Sequence, residues 1–313
     1  MIVDLPDTTV SAISKALIRV REEGGAVALG RVLTLIISTT SESAAEAAIA
    51  AANDASREHP MRLIVVAASE LRDGAPASAR LDAEIRVGGD AGASEVIVLR
   101  AWGPLARTEE SLVTGLLLPD APVVVWWPED APTVPAESPL GRIAQRRITD
   151  VATQTDPIAA LRALSASYRP GDTDFAWTRL TLWRAQLAAT LDQPPFEPIL
   201  GATVAGALDS PATVMMAAWL ALQLDAPVEC QLDPVEAQLG GISRVAIQRS
   251  GGEIMLHRDQ PTTARLLQPG QPEHRIALHR RSLRDCLADE LRRLGPDTTF
   301  GRVIRDGVKL VEL

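Results

Sequence analysis

The stretch from Val32 to Ala67 constrains the fold more than any other part of the chain. Val32 to Ser38 is an apolar, β-branched run that reads as a buried strand, and Arg62 to Ala67 is a second one. Between them Ser43 and Glu46 form a capping-box signature, and an alanine-rich helix is expected to run to about Glu58. Strand, helix and strand in this order predict a right-handed parallel crossover, with the small alanines letting the helix lie close against the sheet. Such a unit raises the question of a nucleotide site, which needs glycines between the first strand and its helix. Here that link is STTSES, and Gly24, Gly25 and Gly30 all precede the strand, so the unit is predicted to be a structural crossover.

The rest of the first half extends an α/β pattern. Val10 to Glu23 is amphipathic and stops at Gly24 and Gly25. Leu81 to Val87 and Glu95 to Arg100 alternate in polarity around the turn GGDAGAS, which predicts a hairpin and therefore a mixed sheet. A helix from about Arg107 to Leu118 leads into LLLPDAPVVVWWPEDAP, residues 116 to 132. Its run Val123 to Trp127 reads as a strand on which the paired indoles alternate, Trp126 inward and Trp127 outward. A proline-rich connector, Glu129 to Gly141, and a helix from Asp156 to Tyr168 follow. The Pro, Gly and Asp cluster YRPGDTD predicts a boundary, giving domains 1–168 and 169–313.

The second half opens with an amphipathic helix whose stripe is Ala176, Leu180, Trp183, Leu187 and Leu191. Ile199 to Gly206 is a predicted strand, Ser210 and Pro211 start a helix that is apolar nearly all round, and Trp219 on it is expected in the core. Short strands at Val228–Leu232, Ile242–Gln248, Glu253–His257, Thr263–Leu267 and Arg275–Leu278 predict a largely antiparallel sheet flanked by helices. Ser282 and Asp285 cap a last helix with the stripe Leu283, Leu287, Leu291 and Leu294, ended by Gly295 and Pro296.

Composition narrows the function class. A chain of 313 residues with 46% hydrophobic content supports two cores. A formal charge of −9 argues against a nucleic-acid partner, which would need a basic surface. No apolar run reaches the roughly 18 residues that span a bilayer, the first residues lack a leader pattern, and the expected location is the cytoplasm. Two cysteines cannot form a disulfide framework, and Cys230 and Cys286 both sit at apolar positions that read as packing. Lys15 and Lys309 are the sole lysines among many arginines, a bias that points to a GC-rich genome.

No nucleophile elbow, His-Glu-x-x-His pair or Cys-x-x-Cys occurs in the chain. His59 precedes Pro60 at a helix end, and His274 and His279 fall on opposite faces of a strand, so neither predicts a metal site. No cofactor is expected. The arginines from Arg275 to Arg305 are interleaved with acids and read as an ion-paired face or, in the sharper alternative, as a pocket for an anionic sugar phosphate. An outward Trp127 and Trp177, the latter well away from Leu180 around its helix, serve either interdomain packing or partner docking together with Arg179 and Arg184.

Four stretches in order, HPMRLIVV at 59–66, LLLPDAPVVVWWPEDAP at 116–132, GDTDFAWTRLTLWR at 171–184 and AAWLALQL at 217–224, resemble the OpcA family, the glucose-6-phosphate dehydrogenase assembly proteins of actinobacteria and cyanobacteria. The resemblance runs over essentially the whole chain. It implies a non-enzymatic partner of glucose-6-phosphate dehydrogenase that promotes assembly of the active oligomer or raises its activity, and so controls entry to the oxidative pentose phosphate pathway. It carries no catalytic residues to this chain. The thioredoxin control associated with cyanobacterial members finds no match in two cysteines so far apart in sequence. The rival expectation is a sugar-phosphate-binding enzyme, or a degenerate relative of one, in the same pathway.

Overall fold

The computed structural model describes residues 1–23, 32–72, 75–88, 95–234 and 240–312. The chain divides into two compact units, Met1–Thr149 with Ser282–Pro296, and Asp150–Arg281 with Asp297–Leu313. Two expectations, the helix stop at Gly24 and Gly25 and most of the turn GGDAGAS, lie outside the described residues. The position expected to separate two domains, after Tyr168, lies inside the second unit, where Leu161, Leu164 and Tyr168 share a core with Trp177 and Phe300.

The first unit runs β1 (Ile2–Leu5), α1 (Val10–Glu23), β2 (Leu33–Thr39), α2 (Glu42–Ala55), β3 (Met61–Ser69), the short β4 (Leu71–Arg72) and β5 (Ala75–Pro76), β6 (Arg80–Arg86), β7 (Glu95–Trp102), α3 (Glu109–Thr114), β8 (Val123–Trp126), α4 (Pro139–Ile143) and β9 (Arg146–Thr149). Within this unit the sheet order is β1-β6-β7-β3-β2-β8-β9. Strands β7, β3, β2, β8 and β9 are parallel neighbours, whereas β6 and β1 pair antiparallel at one edge. The sheet is mixed, as the sequence predicts, and β2 is buried along its whole length because it lies between two parallel neighbours.

Details of the crossover differ. The N-cap of α2 is Ser41, whose side chain accepts from Ala44 N at 3.2 Å, and the expected capping partner Glu46 instead meets Arg86 at 2.8 Å. Ser41 has the extended backbone a cap needs, and Ser43 is already one residue inside the helix. The helix expected from Arg107 to Leu118 shrinks to α3, since a 3-10 turn, Gly103–Arg107, precedes it and Gly115 caps its end. A late helix, Leu283–Leu291, returns to this unit with the predicted capping box of Ser282 and Asp285.

The second unit contains α5 (Pro157–Ser167), β10 (Asp172–Asp174), α6 (Phe175–Thr178), α7 (Thr181–Leu191), β11 (Ile199–Ala207), α8 (Pro211–Gln223), β12 (Val228–Asp233), β13 (Ile242–Arg249), β14 (Gly252–His257), β15 (Thr263–Leu267) and β16 (His274–Ala277). The Leu283–Leu291 helix is α9, and α10 (Thr298–Arg302) closes this unit with a π turn at Val303–Gly307. Its sheet order is β12-β11-β13-β14-β15-β16, antiparallel except for the β11–β12 pair. Helix α8 packs against β11 and β12 with Val214 to Ala218 fully buried; Trp219, expected in the core, is only partly buried at its edge. Gly206 permits this approach, since a Cβ there would come 2.2 Å from Thr213 Oγ1.

Candidate functional site

The predicted docking residues fall into two places. Trp127 belongs to the first unit, where it is 3% exposed and sits in the core cluster that also holds Val125, Leu140 and Ala144. Its backbone N donates to Ile148 O at 3.0 Å. Trp126 is buried as well, so the expectation of one inward and one outward indole is corrected: both faces of β8 are covered, and alternation then decides which core a ring enters, not whether it is exposed.

The other three residues lie in the second unit. Asp174 starts α6 by accepting from Ala176 N at 2.8 Å and, through its second oxygen, from Val151 N at 2.9 Å. The single helix expected from Ala176 to Leu191 is broken after Thr178. There the carbonyl of Thr178 accepts from Thr181 Oγ1 at 2.8 Å and from Arg281 at 2.9 Å, in place of continuing the helical ladder. Trp177 is 2% exposed, donates from Nε1 to Asp297 Oδ2 at 3.0 Å, and lies 5.9 Å from the Phe300 ring. The outward placement read from the helical wheel is therefore corrected too, because Asp297 and Phe300, at the start of α10, meet the ring.

Two arginines overlie this aromatic core. The guanidinium of Arg184 stands 3.6 Å from the centre of the Trp177 ring. Arg179 forms a bidentate pair with Asp150 at 2.7 and 2.6 Å, and the Asp150 carboxylate is itself buried. Both arginines keep part of their surface accessible. Arg179 also lines a cavity of about 430 Å³ in the second unit. Arg258, Arg280 and Arg281 contribute to the same wall, so of the arginine-rich end the structure brings Arg280 and Arg281 to this cavity. The sequence pattern did not single out Arg258, which follows β14 and is carried inward by the bond from its backbone N to Ser243 O at 2.7 Å.

The first unit holds the crevice where a doubly wound sheet ordinarily takes a nucleotide, beyond the carboxyl ends of β2 and β8. Here Thr39 Oγ1 donates to Glu129 Oε1 at 2.9 Å and Thr40 Oγ1 to Asp130 Oδ2 at 3.2 Å. Carboxylates in that position oppose a phosphate. Among the described residues no three His, Cys, Asp or Glu side chains gather as metal ligands. Cys286 is fully buried, while Cys230 is half-buried and burial pushes its thiol up to about 11. No helix among the described residues is long and apolar enough to cross a membrane.

Two family models match the chain in succession. That for the N-terminal domain of the glucose-6-phosphate dehydrogenase subunit matches residues 52–166, and that for the C-terminal domain of the same protein matches residues 170–304. No curated protein matches the chain by sequence. Among solved structures, an oxidoreductase from Thermotoga maritima is 12% identical with a TM-score of 0.37, over 90% of this chain and 94% of that one. A glucose-6-phosphate 1-dehydrogenase from Mycobacterium avium is 11% identical with a TM-score of 0.42, over 90% and 91% of the two chains. At these scores neither likeness carries an argument.

Proposed function

The chain belongs to the OpcA family of glucose-6-phosphate dehydrogenase assembly proteins, and from that membership we propose that it is a non-catalytic partner that promotes assembly of the active dehydrogenase oligomer or activates it allosterically. The observation that carries this reading is the pair of family matches in their N-terminal and C-terminal order. It is supported by a sequence without a nucleophile elbow, a dinucleotide turn or a metal motif. A partner that binds the active assembly more tightly than the inactive one shifts the population by that difference in affinity, with no chemistry of its own. The cytoplasm is the compartment this role requires.

Within this role Arg179 and Arg184 are the members of the predicted docking set that reach the surface, and they act as contact residues. Trp127 and Trp177 each support the core of their own unit. Titrating the purified protein into its cognate dehydrogenase, with rate and oligomer size followed together, is the test. A rise in either at saturation is expected, with no dehydrogenase turnover by the protein alone. An unchanged rate and an unchanged oligomer at saturation would sink the proposal.

A further inference from the structure

We propose that the arginine-lined cavity of the second unit is a binding site for the phosphoryl group of a small phosphorylated metabolite of sugar-phosphate size. Its volume of about 430 Å³ is in the range of small-molecule sites. Among the described residues four arginines line it against one carboxylate, Asp209. Arg179 is already neutralised by Asp150, but Arg258 and Arg280 have no carboxylate partner among the described residues.

Arg258 is the decisive group. It is only 6% exposed, and its Nη2 donates to Leu278 O at 3.0 Å while its Nε has no hydrogen-bond partner. The guanidinium is held 5.0 Å from the centre of the Trp183 ring, in the cavity wall. Burial, and then the charge of Arg280, bring its pKa down to about 10, so it remains a cation at neutral pH. A buried cation without a counter-charge is costly, and an anion entering the cavity removes that cost.

The surroundings define the anion. Two uncompensated guanidiniums match a dianion better than a single carboxylate. The 13-residue helix α8 begins at this wall with Ser210, Pro211 and Ala212, adding the positive end of a helix dipole. Asp209, exposed beside them, opposes a second phosphate and accepts from a hydroxyl, which favours a hydroxylated monophosphate. Leu180, Trp183 and Ile242 supply an apolar side for the carbon skeleton. The site is internal to this chain, so its failure and the failure of the partner role are separable.

The test is calorimetric titration of the full-length protein, without dehydrogenase, using inorganic phosphate, glucose 6-phosphate and glucose as probes. Glucose 6-phosphate and phosphate are expected to bind saturably and more weakly as salt rises, and glucose not at all. Arg258→Met and Arg280→Ala are each expected to weaken glucose 6-phosphate binding by at least about tenfold. Thermal unfolding without ligand is expected to be unchanged or higher in Arg258→Met, since the substitution removes an uncompensated buried charge. No saturable binding of either phosphate probe up to millimolar concentration overturns the proposal. So does binding that is unchanged in the exposed Arg280→Ala variant, whatever Arg258→Met does to folding.

Discussion

Trp177 shows how a single residue changes role between sequence and structure. Its ring is enclosed by Phe300, Arg184 and the bond to Asp297, all within one unit. Truncating it to alanine is expected to cost about 3–5 kcal/mol of stability, as for large buried aromatics generally. Trp127→Ala in the other unit carries the same expectation, since the ring is buried within that unit's apolar core. Chemical denaturation of each variant, beside its affinity for the dehydrogenase, checks this. A stable variant with weakened binding would return the residue to the docking surface. Of the two cysteines read as packing, Cys286 is enclosed and Cys230 is half-buried, and burial raises the Cys230 thiol to about 11, which disfavours the thiolate at neutral pH.

At the scale of elements, α9 is the most consequential. Its Cys286, Leu287, Ala288 and Leu291 are buried, and it packs on α2 although more than two hundred residues separate them. It also delivers Glu290 to Arg146 at the start of β9, both side chains nearly without solvent contact. Arg146 Nε donates to this carboxylate at 2.9 Å and Nη1 to Gly295 O at 2.8 Å. Removing one partner of such a pair strands the other charge, so Glu290→Leu is expected to lose about 3–5 kcal/mol. Arg146→Met with Glu290→Leu is expected to recover much of that loss, because it removes both buried charges. Urea denaturation of the single and double variants decides it, and a double variant no better than the single one would contradict the charge argument.

For the whole molecule the chain path matters most. A fragment ending at the predicted boundary, residues 1–168, lacks α9 and leaves the part of α2 that meets it, and Arg146, without those partners. It is expected to be poorly folded, with exposed apolar surface that binds a hydrophobic dye. A fusion of residues 1–149 to 282–296 through a flexible linker is expected to restore a cooperative unfolding transition. Equal folding of both products would mean that α9 contributes little to the first unit.

The fold class was legible because its signals are local. Hydrophobic period and caps such as Ser210 and Ser282 are set by neighbours in sequence; the period located the crossover and the antiparallel strands, and the caps located the starts of α8 and α9. The family resemblance likewise rests on ordered local stretches. What only the tertiary structure decided depends on groups far apart in the chain. Alternation along β8 separated the faces of Trp126 and Trp127, but solvent access to each face depended on what covered it. The return of α9 to the first unit, and the gathering of Arg258 with Arg280 around one cavity, are long-range outcomes of burial and charge. No short stretch of sequence encodes them, because their energies arise only when distant segments exclude water together.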